Sequence, residues 1–187
     1  MRDKNETAKY RLAESMHDLL EKKPVKDIRV TEICETCGVS RQTFYRNFLD
    51  KNDLINWYFD ILLDTSFEKM GDGKTVYDGL IRKFRFIKAE GPFFAAAFNN
   101  DEQNNLKDHD FRKILSFYTD LIQRKAPGLF SEEMRKLLEM YCQASIYGTV
   151  RWILGGMKSA PEELAALMID AMPAKLAELF RAADLLR

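Results

Sequence analysis

No stretch of the 187-residue sequence approaches the roughly 18 uninterrupted apolar residues that a membrane-crossing helix needs, so no membrane association is expected. Strand signals are scarce as well. There is no sustained alternation of β-branched and polar residues, and no Asn-Gly or Asp-Gly turn joins two such runs. Cysteine occurs only as Cys34, Cys37 and Cys142. This small odd number follows an opening, MRDKNETAKY, that is charged and lacks the apolar core of a secretory leader. Together they predict a reduced, cytoplasmic setting and no disulfide framework. Net charge is missing too: 29 Lys and Arg stand against 29 Asp and Glu. The overall balance therefore gives no argument for a nucleic-acid partner.

Signs of catalysis are equally thin. No P-loop, dinucleotide fingerprint or Ser/His/Asp pattern occurs. Cys34-x-x-Cys37 has the spacing of a zinc or redox pair. Only one further cysteine and two histidines, His17 and His109, exist to complete four metal ligands, and a thioredoxin-like pair needs a βαβ setting. Core filling by at least one of these cysteines is the plainer reading. The expectation is a protein with no enzymatic activity, metal or cofactor.

What the sequence does have is helical spacing almost throughout. With 46% hydrophobic and 31% charged residues, this predicts a folded all-α protein of about nine helices. Leu12, Met16, Leu19 and Leu20 make one face of a first helix that stops before Pro24. Thr31 is placed to cap a short second helix closed by Gly38. Ser40 would cap a third over residues 41–48, and Asp50 a fourth from Lys51 through Leu63. Met70 to Gly73 reads as a loop. A helix with Leu80, Phe84 and Ile87 is broken at Gly91-Pro92, and a short aromatic helix follows over 93–98. Residues 99–110 read as a polar loop that feeds a helix with Phe111, Leu115, Tyr118 and Ile122. Ser131 opens a long helix to Ile153, stopped by Gly155-Gly156. Ser159 with Glu162 has capping-box spacing for the last helix, which Pro173 must kink or end. Two domains are expected, 1–53 and 54–187.

The span Thr31 to Lys51, TEICETCGVSRQTFYRNFLDK, carries the most information. Two short helices joined by a Gly-containing turn outline a helix-turn-helix. Phe44 and Phe48 share one face of the second helix, with Val39 beneath them. The other face offers Arg41, Gln42, Thr43, Arg46 and Asn47, and no acid. One side that buries and one that hydrogen-bonds base edges is what a recognition helix requires. Tyr45 and Lys51 are placed to reach phosphates. Residues 1–53 hold 11 Lys and Arg against 10 Asp and Glu, so charge does not separate this reading from an ordinary solvated face.

The run IRVTEICETCGVSRQTFYRNFLDKNDLI resembles the DNA-binding signature of TetR-family transcriptional regulators. The shared elements are a Thr-capped short helix, a Gly-Val-Ser turn, a Thr-Phe-Tyr-x-x-Phe helix and a Lys followed two residues later by Asp-Leu. The preceding Tyr10–Leu20 helix and Pro24 fall at the family's spacing, so the resemblance covers about residues 5–60. It implies a homodimer on a pseudo-palindromic double-stranded operator. Arg41, Gln42, Thr43 and Asn47 would face bases, and Thr31, Tyr45 and Lys51 phosphates. Arg46, Arg2 and Lys4 are further DNA candidates. Family members are mostly repressors, with activation known. A helical partner-binding adaptor without DNA affinity is the alternative.

The resemblance also implies that the last two helices pair between protomers as a four-helix bundle. Two stripes are candidates: Tyr141, Ala144, Gly148 and Trp152, then Leu164, Met168, Ala171, Leu176 and Leu179. The simpler reading is that both stripes face the chain's own core. The aromatic middle offers Phe84, Phe94, Phe98, Phe111, Tyr118 and Tyr141, with His109, as walls and anchors of an effector pocket, or as packed core. The segment 90–100, EGPFFAAAFNN, with the layout after it, resembles a C-terminal type seen in regulators of dihydroxyacetone kinase operons. In that subgroup the controlling effector can be a protein instead of a small molecule.

Overall fold

The computed structural model describes residues 4–99 and 106–186, with the side chains of 4–6 outside that description. The described residues form ten α-helices and no strand: α1 (Lys4–Leu20), α2 (Val30–Cys37), α3 (Arg41–Asn47), α4 (Lys51–Gly71), α5 (Val76–Ala89), α6 (Gly91–Asn99), α7 (Leu106–Lys125), α8 (Glu132–Leu154), α9 (Pro161–Asp170) and α10 (Ala174–Ala182). The all-α expectation holds. The tenth helix exists because Pro173 ends one helix and starts the next: it lacks the N–H to continue α9, and its φ of −53° opens α10.

The chain forms two compact units, one of residues Met1–Leu62 with Pro92–Asn104, the other of Leu63–Gly91 with Asn105–Arg187. In the first, α1 packs on α2 and α3 through Leu12, Ala13 and Met16, all fully buried. Each such apolar side chain contributes about 1.5–3 kcal/mol by leaving water. The aromatic helix α6 belongs to this unit. Phe59 of α4 meets Phe94 and Phe98 edge-on at 5.7 and 5.3 Å, and Phe93 lies 4.9 Å from Tyr58. These edge-to-face geometries are the ones the ring quadrupoles favour.

In the second unit α5 packs on α9, α7 on α8, and α10 on α8. The interior is built from Leu80, Phe84, Ile114, Tyr118, Ile122, Cys142, Ile146, Ala165, Leu176 and Phe180. The Tyr118 ring sits 5.6 Å from Phe180 and 6.5 Å from Tyr141. Gly79 lets α5 cross the end of α4: a Cβ there would lie 2.5 Å from the carbonyl oxygen of Met70.

Several boundaries depart from the expected ones. Helix α4 continues past Leu63 to Gly71, because Ser66 and Met70 are also buried and extend the apolar face. Helix α7 starts at Leu106, so His109 and Asp110 are helical and not in a loop. Leu106, Asp110, Ile114 and Tyr118 recur at helical spacing on the buried face, and the polar residues between them disguise it. The cap of α9 lies one residue later than expected. The Glu163 carboxylate accepts the Ala160 N–H at 3.1 Å, while Glu162 is held by Arg85.

Candidate nucleic-acid interface

The interface begins with a local stop signal. Gly38 ends α2 at φ 65°, a left-handed conformation that costs glycine little. Arg11 of α1 donates to the carbonyl of Cys37, covering one of the exposed acceptors at that end. Ser15 donates to the Ile33 carbonyl at 2.8 Å from a buried position. These two α1 side chains fix α2 from below. Sequence reading missed both, since their partners are 26 and 18 residues away and no local pattern marks them.

Ser40 caps α3 as expected, accepting the Thr43 N–H at 3.1 Å and lying 2.9 Å from the Thr43 hydroxyl. Phe44 and Phe48 are buried, with ring centroids 5.9 Å apart. Their burial orients the rest of the helix. Arg41, Gln42, Tyr45 and Arg46 are exposed, while Thr43 and Asn47 are half-buried. The Asn47 amide donates to the Thr43 carbonyl at 2.8 Å, leaving its oxygen and second N–H for an outside partner. Between Ser40 and Leu49 there is no acidic residue. Asp50 starts α4 by accepting the N–H groups of Asn52 and Asp53 at 2.7 and 2.9 Å.

Thr31 and Lys51, both expected at phosphates, sit in the protein as follows. Thr31 is not the cap of α2: Arg29 holds that place without a side-chain bond, and Thr31 is half-buried at the second helical residue. Lys51 is turned inward. Its ammonium donates to the carbonyls of Val25, Ile28 and Lys26 at 2.6, 2.8 and 3.3 Å, clamping the connection between α1 and α2. An ammonium has three donors, and these carbonyls engage them. Glu32, in the first turn of α2, is paired with Lys23 at 2.5 Å, which holds its carboxyl below the usual range. Lys9 lies over Trp57 and Phe48, 5.4 and 5.7 Å from their ring centres. Arg2 and the Lys4 side chain lie outside the described residues.

The aromatic candidates for an effector pocket divide between the units. Phe94 and Phe98 serve the first unit; Phe84, His109, Phe111, Tyr118 and Tyr141 belong to the second. Phe84, Phe94, Phe98, Tyr118 and Tyr141 are buried, and Phe111 is half-buried. The Tyr141 hydroxyl donates to the Met168 carbonyl at 2.9 Å, and burial pushes both tyrosines above their ordinary pKa. Three polar groups beside them escaped the sequence reading: Lys83, Asp110 and Ser145, all buried.

On the last helices, Tyr141, Trp152, Leu164, Met168, Leu176 and Leu179 face the interior of the second unit. Trp152 donates to the Ser159 carbonyl at 3.2 Å. Of the expected interface set, Ala144 and Ala171 are exposed and Gly148 is half-buried. The apolar groups left outside on α8 and α9 are instead Met140, Tyr147, Leu154 and Leu167, between 44% and 66% exposed. Cys34 and Cys142 are buried and Cys37 is half-buried.

The model of a family described as the transcriptional regulator C-terminal region, TetR_C_8, matches residues 74–173, just over half of the chain. No curated protein matches the sequence. Among solved structures, the dihydroxyacetone kinase operon activator DhaS is similar in fold, at 19% identity and a TM-score of 0.71, with 90% of this chain and 95% of that one covered. The matched residues lie outside the helix-turn-helix span. The chain belongs to the TetR family of transcriptional regulators.

Proposed function

We propose that this regulator acts by binding a specific double-stranded DNA operator through α3, as a homodimer, under the control of an effector received by the second unit. The observation that carries the reading is the outer face of α3, where Arg41, Gln42, Tyr45 and Arg46 are exposed on a seven-residue helix anchored by Phe44. Arg41 and Gln42, in its first turn, are matched to base edges, with Thr43 and Asn47 beside them. Tyr45, and Thr31 at the start of α2, serve backbone contacts, and Arg46 adds positive charge. Helix N-termini enter the major groove in this way in helix-turn-helix proteins.

The homodimer is supported by what α8 and α9 leave outside. Met140, Ala144, Tyr147 and Leu154 recur along one side of α8, with Leu167 on α9 and Ala171 at its C-terminal cap. Exposed apolar residues at helical spacing mark an interface more often than scattered ones do. A twofold assembly would meet half-sites about one DNA turn, roughly 34–36 Å, apart. Effector binding would change the separation of the two α3 helices only in so far as the effector binds the two states with different affinity. Repression by operator occupancy is the simplest sign of regulation, in a cytoplasmic setting and without catalysis.

Fluorescence anisotropy with the DNA flanking the protein's own gene tests this, at two salt concentrations beside an unrelated duplex. The expected result is tight, salt-dependent binding of two protomers per site, or a multiple of two. Equal weak binding to both duplexes across the flanking region would refute specific operator recognition and favour the adaptor.

A further inference from the structure

Two cysteines stand three residues apart inside the helix-turn-helix, and DNA contact uses neither. Both belong to the last turn of α2. Cys34 is 3% exposed, so core filling accounts for it; Cys37 is half-buried, so core filling does not account for the pair. The Cys37 thiol is turned back along its own helix. It donates to the Ile33 carbonyl at 3.2 Å and lies 3.7 Å from the backbone carbonyl oxygen of Cys34. The Cys34 thiol feels both the Cys37 thiol and the Arg41 guanidinium at the start of α3.

Helical geometry decides what this pair can do. Residues three apart on an α-helix have Cα atoms about 5 Å apart, inside the roughly 4.4–6.8 Å that a disulfide spans. Their Cβ atoms are about 5–6 Å apart, whereas a disulfide needs about 3.5–4.5 Å. The bond therefore requires the last turn of α2 to give way by about 1–2 Å. That turn hands the chain on to α3. Arg11 donates to the Cys37 carbonyl, and the Val39 N–H donates to the Cys34 carbonyl at 3.0 Å. Gly38 and Val39 follow at once, and Ser40 caps α3. Drawing Cys37 to Cys34 displaces both carbonyls and shifts the end of α3 that carries Arg41 and Gln42.

We propose that Cys34 and Cys37 are a thiol-oxidation site: a peroxide closes them into a disulfide, a thiol reopens them, and only the reduced form fits the operator. This rests on the reading of α3 as the DNA-binding helix. Cys37, the accessible thiol, loses its proton and attacks a peroxide oxygen. The O–O bond breaks, the leaving hydroxide or alkoxide takes up a proton, and Cys37 becomes a sulfenic acid. Loosening of the turn brings Cys34 to water. Its sulfur attacks the Cys37 sulfur, the S–O bond breaks, and the hydroxide leaves as water with the Cys34 proton. Two thiols have lost two electrons and one peroxide has gained them. A small thiol reverses the bond through a mixed disulfide. In reducing surroundings disulfides are mostly of this transient, sensing kind.

The test treats the full chain with a stoichiometric amount of hydrogen peroxide and then blocks free thiols with maleimide. Trypsin cuts after Arg29 and Arg41 and releases both cysteines in one peptide, VTEICETCGVSR. That peptide should lack two hydrogens and carry no maleimide, and after dithiothreitol it should carry two. Anisotropy on the DNA flanking the gene should show affinity falling about tenfold or more on oxidation, within the usual range of coupling between sites, and returning with dithiothreitol. Cys37→Ser, which keeps a donor for Ile33, and Cys34→Ala should each bind as the reduced parent does and ignore peroxide. Coupling is reciprocal. In a glutathione redox buffer the operator should therefore favour the dithiol by the same factor, a response that purely structural cysteines lack. The proposal is overturned if the peptide keeps both thiols, gains oxygen, or pairs with Cys142 or a second chain. It is equally overturned if the disulfide forms and affinity is unchanged. A reduced chain that binds no duplex specifically refutes the α3 reading and the switch together. Absence of the disulfide refutes the switch alone, because the peptide mass is read without DNA.

Discussion

Replacing Lys51 by methionine keeps the apolar stem and removes only the ammonium that holds the carbonyls of Val25, Ile28 and Lys26. Hydrogen bonds to a charged group contribute about 1.5–3 kcal/mol each when shielded. Two of these are short and the third is long at 3.3 Å. The side chain is half-buried, so water replaces part of the loss. Together these give an expected destabilisation of about 2–3 kcal/mol. Trp57, packed against Tyr10 and Phe48 at 5.3 and 5.6 Å, reports on the first unit once Trp152 is changed to phenylalanine. Urea unfolding followed at Trp57 should show the midpoint falling by about 1 M or more with an unchanged slope, since m is about 1–3 kcal/mol/M. The opposite pattern would refute the reasoning. If the midpoint is unmoved while the salt dependence of DNA affinity falls by about one phosphate contact, Lys51 reaches the DNA and the clamp is incidental.

Gln42→Ala should cost about 1–3 kcal/mol on the cognate operator and relax preference at particular base pairs; anisotropy across single-site operator variants reads this. Tyr45→Phe should weaken all those duplexes alike without altering the salt slope, because the lost group is uncharged. Lys83→Met leaves a buried carboxyl alone and should cost about 3–5 kcal/mol. Because the pKa of Asp110 is raised, the folded state holds a proton that the unfolded state has released at pH values between the unfolded pKa and the folded one. This contribution to the variant's stability should therefore be fully present below the unfolded value of 3.8 and be lost as pH rises towards the raised folded value, which chemical denaturation at several pH values checks. Gly38→Ala should cost about 1–2 kcal/mol from the left-handed backbone alone, since its Cβ would meet only Arg11 Nη2 at an ordinary 3.5 Å. Asparagine there should recover part of the loss in thermal unfolding. On the proposed homodimer, Tyr147→Asp with Leu167→Asp should give a monomer in light scattering while the helical circular dichroism is retained.

The local devices were legible because they lie within a few residues of what they serve. Ser40, Asp50 and Ser131 cap where their spacing predicts, Gly38 terminates α2, and Phe44 and Phe48 bury the inner side of α3. What escaped depends on distant partners. Lys51 looks like a basic residue beside a recognition helix until the carbonyls 23 to 26 residues earlier are placed around it. Periodicity finds a stripe on α8 but cannot say which of two stripes meets the chain's own core. Tyr141 and Trp152 have polar atoms whose partners, Met168 and Ser159, lie on the following segment, and those bonds hold them inside. Asp110 was misread because a buried acid in a polar-looking run carries no local mark; its partner Lys83 belongs to another helix.

The differing environments of the three cysteines give this protein a built-in chemical handle. The Cys142 thiol is pushed up to about 12 by burial, and burial raises that of Cys34 as well, so neither supplies much thiolate near neutrality. Cys37 is half-buried, with its sulfur turned to the Ile33 carbonyl at 3.2 Å. A maleimide spin label or dye should therefore attach there alone in the native chain. The label would sit at the end of α2, one turn ahead of α3, and in the proposed homodimer a pair of labels would report the separation of the two α3 helices without an added cysteine.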